Sequence, residues 1–180
     1  LTKNPIFIDR LVGIGILDGA TALQHGVTGP SLRASGVNWD LRKARPYCGY
    51  EQYDFNVPTR TEGDTFARYI VHIEEFRESM KIIEQALNKL PMGPVRSDNS
   101  KFVAPPRSEI GVSMESLIHH FKLWTEGFPA PKASVYSAVE SPRGELGIYL
   151  EGDGGPKPYR VHLRTPSFDN LSVINKITQG

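Results

Sequence analysis

Cysteine is almost missing: Cys48 is the single one in 180 residues. No disulfide can close within the chain, and a thiolate-ligated iron–sulfur or zinc centre has no ligand set here. One lone thiol fits a reducing compartment. Long hydrophobic runs are absent too. The longest, such as Leu11 to Leu17, fall far short of the roughly 20 residues that cross a bilayer. No signal pattern opens the sequence, which begins on Leu1 rather than methionine. There is no charge excess, with 21 Lys+Arg against 20 Asp+Glu, so nothing marks a nucleic-acid surface. Gly13-Ile14-Gly15 with Gly19 misses the dinucleotide spacing, and no clear strand precedes it. No nucleophile stands at a convincing spacing from a base. With 39% apolar and 23% charged residues, what remains is an α-rich soluble domain with at most a small appendage.

The strongest positive signal is a helix over about 64–90. Phe66, Ile73, Met80 and Leu87 recur every seven residues, as do Tyr69, Phe76, Ile83 and Leu90, with Ile70 and Ile82 widening the stripe. Asp64 suits the N-cap and Pro91 stops the run. At about 1.5 Å per residue this is a rod of roughly 40 Å. Either it is a coiled-coil partner or, as preferred here, the central helix of an antiparallel bundle, its apolar face buried in the chain's own core. A Pro-rich connector, 91–112, leads to a second helix over about 113–126, capped by Ser113 and ended by Gly127. Met114, Leu117, Ile118, Phe121 and Trp124 share one of its faces. Asp18 to His25 reads as a short helix closed by Gly26, and the stretches around Gly29–Pro30 and 46–58 read as loops.

The last third changes period. Val135 to Glu140, Glu145 to Glu151 and Tyr159 to Arg164 read as strands separated by turn-rich segments. Leu146, Ile148 and Leu150, with Val161 and Leu163, alternate with polar partners or glycine, as in a half-buried antiparallel meander. The expected fold is therefore mainly α: a helical bundle region over 1–127, a small antiparallel β meander over 128–166 and a C-terminal helical segment over 167–180. His119-His120 looks like a metal signature. Adjacent helical residues point about 100° apart, however, so the two imidazoles cannot easily share an ion; Glu115, four residues before His119, is placed to hydrogen-bond it.

Four runs carry a resemblance: Gly29 to Gly36 (GPSLRASG) with Trp39 to Lys43 (WDLRK); Tyr50 through Asp54, Phe55, Val57 and Pro58; Ser113 to Leu123 (SMESLIHHFKL); and Glu140 to Gly147 (ESPRGELG). On these the chain resembles the D (49 kDa-type) core subunit family of respiratory complex I, the proton-pumping NADH–quinone oxidoreductase, over essentially its whole length. The first and fourth runs are shared with nickel–iron hydrogenase large subunits. The resemblance implies a hydrogenase-large-subunit type of fold and a place in the quinone-reduction module. Quinone is then the substrate, taking electrons from the terminal iron–sulfur cluster held by a partner, the B subunit. It also implies further peripheral-arm partners and a peripheral site on the cytoplasmic side of the inner membrane, or its organellar equivalent. No cofactor, metal or catalytic residue is assigned to this stretch, since the family's quinone-headgroup contacts fall before Leu1 and a closing segment after Gly180, and the chain alone is expected to be inactive. Arg143 and Glu140 are the candidates for bordering the quinone cavity, the alternative for Arg143 being an ordinary solvent-facing turn. Arg33, Asp40, Arg42, His119 and His120 are candidates for structural roles. The alternative function is the large subunit of a related membrane-bound hydrogenase, or of a quinone-reducing dehydrogenase with another electron donor.

Overall fold

Asp64 sets the start of the longest helix. Its backbone is extended and its Oδ1 accepts from the Ala67 amide at 2.7 Å, satisfying one of the orphan donors of the first turn. In the computed structural model, which describes residues 1–100 and 102–179, this helix, α5, spans Thr65–Asn88, close to the bounds read from the sequence. Before it come α1 (Pro5–Asp9), α2 (Gly19–Gln24), α3 (Pro30–Arg33) and α4 (Leu41–Ala44); after it come α6 (Arg107–Ile110) and α7 (Met114–Thr125). The strands are β1 (Ala133–Ser141), β2 (Gly144–Gly152) and β3 (Pro158–Arg164), joined as an antiparallel sheet in the order β1-β2-β3. Short helices α8 (Pro166–Asn170) and α9 (Ile174–Ile177) follow. Asp18 caps α2 and Ser113 caps α7, as expected. α3 occupies a stretch read as a loop, because a single turn is too short to show a helical period.

Two compact units emerge, both discontinuous in sequence. The first comprises Leu1–Leu90, Ser137–Gly147 and Leu163–Gly180, the second Pro91–Tyr136 and Ile148–His162. Reading the chain as consecutive stretches does not anticipate that division, since each strand of the sheet contributes residues to both units.

The first unit holds the cores. One joins Leu17, Ala22, Val27, Leu32 and Val173, with Val37 and Ile177 packed against it. The other is made of small side chains, Ala34 against Ala67 and Val71, which lets the end of α3 lie close on α5. Gly63 keeps the entry to α5 tight: its φ is +67°, and a Cβ there would stand 2.3 Å from the Leu17 carbonyl oxygen. Its amide donates to the Ala34 carbonyl, and its carbonyl accepts from the Leu17 amide, both at 2.9 Å. Gly29 (φ +72°) likewise approaches the β1–β2 hairpin so closely that a Cβ would lie 2.3 Å from Gly144 Cα.

The expected burial of the heptad stripe is overturned beyond its first turns. Ala67 and Val71 are buried and Phe66, Tyr69 and Ile73 half-buried, but Phe76, Met80, Ile83, Leu87 and Leu90 are exposed, Met80 by 70%. The cause is what α5 finds alongside. Its second half is held by an extended strap, with the Gln85 amide bridging both backbone groups of Asp54, Glu78 accepting from the Asn56 amide and Lys89 donating to the Gln52 carbonyl. That strap takes the polar edge and leaves the apolar stripe uncovered within the unit. The meander forms as expected, but its apolar face is less buried than expected, with only Leu146 of that face half-buried. Gly144 and Gly147 are the buried members of β2, whereas Ile148, Leu150, Val161 and Leu163 are exposed.

In the second unit, Phe102 and Phe128 meet edge to face at 4.8 Å between centroids. The apolar face of α7, from Met114 to Trp124, stays open to solvent. Among the described residues, no helix is long and apolar enough to cross a membrane.

Candidate functional site

Arg33 is the last residue of α3, and it is 1% exposed. A buried guanidinium needs its donors filled and its charge answered, and three segments of the first unit supply this. From α5, Glu75 Oε1 accepts from Nε at 2.8 Å and lies 2.5 Å from Nη2. From β1, Glu140 Oε1 accepts from Nη1 at 2.9 Å. The Trp39 carbonyl accepts from Nη1 at 2.8 Å. Arg33 thereby clasps the helix, the hairpin and the 36–40 loop around one charge.

Asp40 and Arg42 form the second layer. Asp40 is the N-cap of α4, its Oδ1 accepting from the Arg42 amide at 2.9 Å. The Arg42 guanidinium grips the same carboxylate, Nε to Oδ1 at 3.0 Å and Nη2 to Oδ2 at 2.6 Å, a two-pronged fork that fixes orientation as well as charge. Arg42 also lies over the rings of Phe55 and Tyr50, 5.0 and 6.0 Å from their centroids. Glu140 is fixed at both ends: its Oε2 accepts from the Leu41 amide at 3.2 Å, and its own amide donates to the Tyr47 hydroxyl at 2.8 Å.

The electrostatics divide these groups. Burial is the largest influence on Asp40 and pushes its carboxyl up, but the Arg42 bonds, with the charges of Arg42 and Arg33, offset that and hold it below its ordinary value. Burial also dominates at Glu75 and Glu140, and there it prevails over the pull of Arg33, so both carboxyls sit above their ordinary value. Burial, with the Arg33 charge beside it, pushes the His72 imidazole down, disfavouring its charged form. A cavity of about 150 Å³ opens onto the cluster, lined by Arg33, Arg42, His72, Glu75, Glu140 and Pro142 among others.

Of the residues singled out from the sequence, Arg33, Asp40, Arg42 and Glu140 are brought together; Arg143 and the histidine pair are not part of the cluster. Arg143 lies in the β1–β2 turn, exposed, with Nη1 donating to Ser167 Oγ at 3.3 Å and its carbonyl accepting from Asn170. In the second unit the His119 ring pairs through Nε2 with the Val103 carbonyl at 3.2 Å, not with Glu115 as expected, because the connector runs within reach of the ring. His120 stacks obliquely near Trp124, 6.1 Å between centroids. Among the described residues no three His, Cys, Asp or Glu side chains are grouped to hold a metal ion.

Sequence reasoning missed Glu75, His72 and Tyr47. A signal for the first two exists: Arg68, His72, Glu75 and Ser79 follow one another at four, three and four residues, a polar stripe of helical period beside the apolar one.

A buried cluster of this kind fixes a fold but does not name a reaction, and comparison with known proteins supplies what geometry cannot. The family described as "Respiratory-chain NADH dehydrogenase, 49 Kd subunit" matches residues 1–180. The chain belongs to that family. It is 53% identical to the D subunit of the NADH-quinone oxidoreductase of Acidothermus cellulolyticus, 54% to the D subunit numbered 2 of Roseiflexus sp. and 52% to the D subunit of Geobacter sulfurreducens. Each comparison covers 100% of this chain, and 44%, 44% and 46% of the relative, respectively. The chain thus spans a little under half the length of these relatives. All three carry the oxidoreductase name, and the hydrogenase alternative is not favoured.

Proposed function

We propose that the chain is part of the quinone-reduction module of an NADH–quinone oxidoreductase. The supporting observation is identity above 50% along the whole chain to proteins named as the D subunit of that enzyme. In this reading the fold is of the hydrogenase-large-subunit type. Electrons arrive from an iron–sulfur cluster on the neighbouring B subunit, quinone is the acceptor, and the chain holds no cofactor of its own. The work of these 180 residues is positional. The Arg33 clasp ties α3, α5 and the β1–β2 hairpin together, so the hairpin that carries Glu140 and Arg143 is presented at a fixed place. Glu140 borders the quinone cavity from the base of the hairpin and Arg143 from its turn. A cation there stabilises a quinone gaining negative charge more than the neutral form, which is the differential interaction a reduction requires. The complex sits peripherally on the cytoplasmic face of the inner membrane or the organellar counterpart, with the other peripheral-arm subunits around it.

The test is segment exchange. The matching stretch of the Geobacter sulfurreducens D subunit is replaced by this chain, and assembled complex is assayed for NADH–quinone reduction beside reduction of an artificial acceptor upstream. Both activities are expected to persist. A complex that assembles and reduces the artificial acceptor, yet not quinone, refutes the assignment. In the same background Arg143→Ala is expected to lower quinone reduction about tenfold or more, roughly 1.4 kcal/mol of transition-state stabilisation, with Arg143→Lys close to unchanged. An unaltered rate and Michaelis constant in Arg143→Ala would leave the residue an ordinary turn.

A further inference from the structure

The cluster around Arg33 does not balance. Two guanidiniums, Arg33 and Arg42, face three carboxylates, Asp40, Glu75 and Glu140. Asp40 and Arg42 satisfy each other through a two-pronged fork. That leaves Arg33 alone between Glu75 and Glu140, with side-chain exposures of 1%, 12% and 4%. With every group ionised, the site buries one net negative charge, which a poorly solvated interior opposes strongly.

We infer that the cluster is a proton-binding site: Glu75 and Glu140 hold one proton between them, carried on Glu75 and exchanged through the adjoining cavity. The hydrogen bonds decide between the two carboxyls. Both oxygens of Glu140 are filled by donors, Arg33 Nη1 on Oε1 and the Leu41 amide on Oε2, and a carboxyl ringed by donors favours its ionised form. Glu75 uses only Oε1, which takes both contacts from Arg33; its Oε2 accepts nothing from a described residue and has room for a proton. Glu75 also lines the cavity of about 150 Å³, which water can enter.

The groups facing Glu75 from each packed element agree with this. Arg33 on α3 is committed to both glutamates, and Arg42 to Asp40. Tyr47 presents its hydroxyl to the Glu140 amide rather than to a carboxylate. His72 stands one turn before Glu75 on α5 and lines the same cavity. Burial and the Arg33 charge disfavour its charged form, so it does not readily supply a second positive charge to answer the excess. On release, the neutral carboxyl becomes a carboxylate and the proton passes to water in the cavity.

The proton-binding site is independent of the quinone assignment, and its test is made without turnover. In assembled complex carrying this chain, infrared difference spectra are taken across a pH series for wild type, Glu75→Gln and Glu75→Asp. Wild type minus Glu75→Gln is expected to show the protonated-carboxyl carbonyl band of one side chain. That band should titrate with a midpoint above the ordinary glutamate value of about 4.3, and Glu75→Asp should retain it at a shifted frequency. Glu140→Gln removes the competing charge, so the Glu75 band should then titrate at lower pH. If Glu75→Gln does not assemble, wild type minus Glu75→Asp reads the same frequency shift. The inference is overturned if no carboxyl band above that midpoint is altered at Glu75, or if Glu140→Gln leaves the midpoint unmoved. Failure of the segment exchange would refute the quinone assignment and leave the band in place; absence of the band would do the reverse.

Discussion

Replacing Arg33 by alanine should be among the most damaging single changes in the chain. The side chain donates to Glu75, Glu140 and the Trp39 carbonyl from a site 1% exposed. A hydrogen bond to a charged partner contributes about 1.5–3 kcal/mol, but the three are not additive. Removing one side of a buried ion pair costs about 3–5 kcal/mol, because the partner charges stay behind without an answer. With a urea slope of about 2 kcal/mol per molar for a domain of this size, the midpoint of the purified chain should fall by roughly 1.5–2.5 M. Arg33→Lys keeps the charge but not the fork, and should lose about half as much. The pH dependence has a definite sign. Glu75 and Glu140 already sit above their ordinary value because of burial, and losing Arg33 raises them further. A carboxyl raised in the folded state stabilises below its unfolded value and loses that contribution as pH rises through the folded one. The deficit of Arg33→Ala should therefore be largest at about pH 8 and shrink towards about pH 5 as protons replace the missing cation. A loss under about 1 kcal/mol, the range of an exposed ion pair, or a deficit that grows on acidification, would refute the reasoning.

Three further outcomes are expected from denaturation of the same chain. Gly29→Ala forces a Cβ to within 2.3 Å of Gly144 Cα at a φ of +72°, so it should cost at least about 2 kcal/mol; a midpoint within error of wild type would show that the hairpin does not press on that loop. Asp64→Ala removes the acceptor of both the Ala67 and the Gly13 amides and should cost about 1–2 kcal/mol, with Asp64→Asn recovering only part of it, because its single amide oxygen can serve one of the two amides. Met80→Gln with Ile83→Gln alters exposed positions and should shift the chain's own stability by less than about 0.5 kcal/mol; a loss of several kcal/mol would restore the buried-stripe expectation.

How far the sequence was legible depended on the range of the interaction involved. Caps and stops are local, so Asp64, Ser113, Asp18 and the left-handed Gly26 and Gly127 could be read from a few neighbours. Strand bounds were legible to within about two residues for the same reason. Burial was not, because it depends on what lies across the fold. The heptad stripe of α5 and the alternating face of β2 both carry the composition of a core, and both face solvent within this chain. A periodic pattern states that a surface seeks cover; it does not say that the cover belongs to the same stretch of sequence.

The candidate site shows the same limit from the opposite side. Arg33, Asp40, Arg42 and Glu140 were singled out only through the resemblance, since residues separated by 107 positions, as Arg33 and Glu140 are, share no spacing rule. What could have been found is the polar stripe Arg68, His72, Glu75 and Ser79. Its helical period on a helix already assigned implies a second face with a purpose of its own. Arg68 spends its donors on the carbonyls of Gly63 and Gly15, fixing the helix entry, and one turn further along the same stripe His72 and Glu75 meet the charge cluster. The apolar stripe of α5 is open beyond its first turns, whereas the polar stripe is engaged by the helix entry and the charge cluster, and it is this second face that ties α5 to α3 and the β1–β2 hairpin.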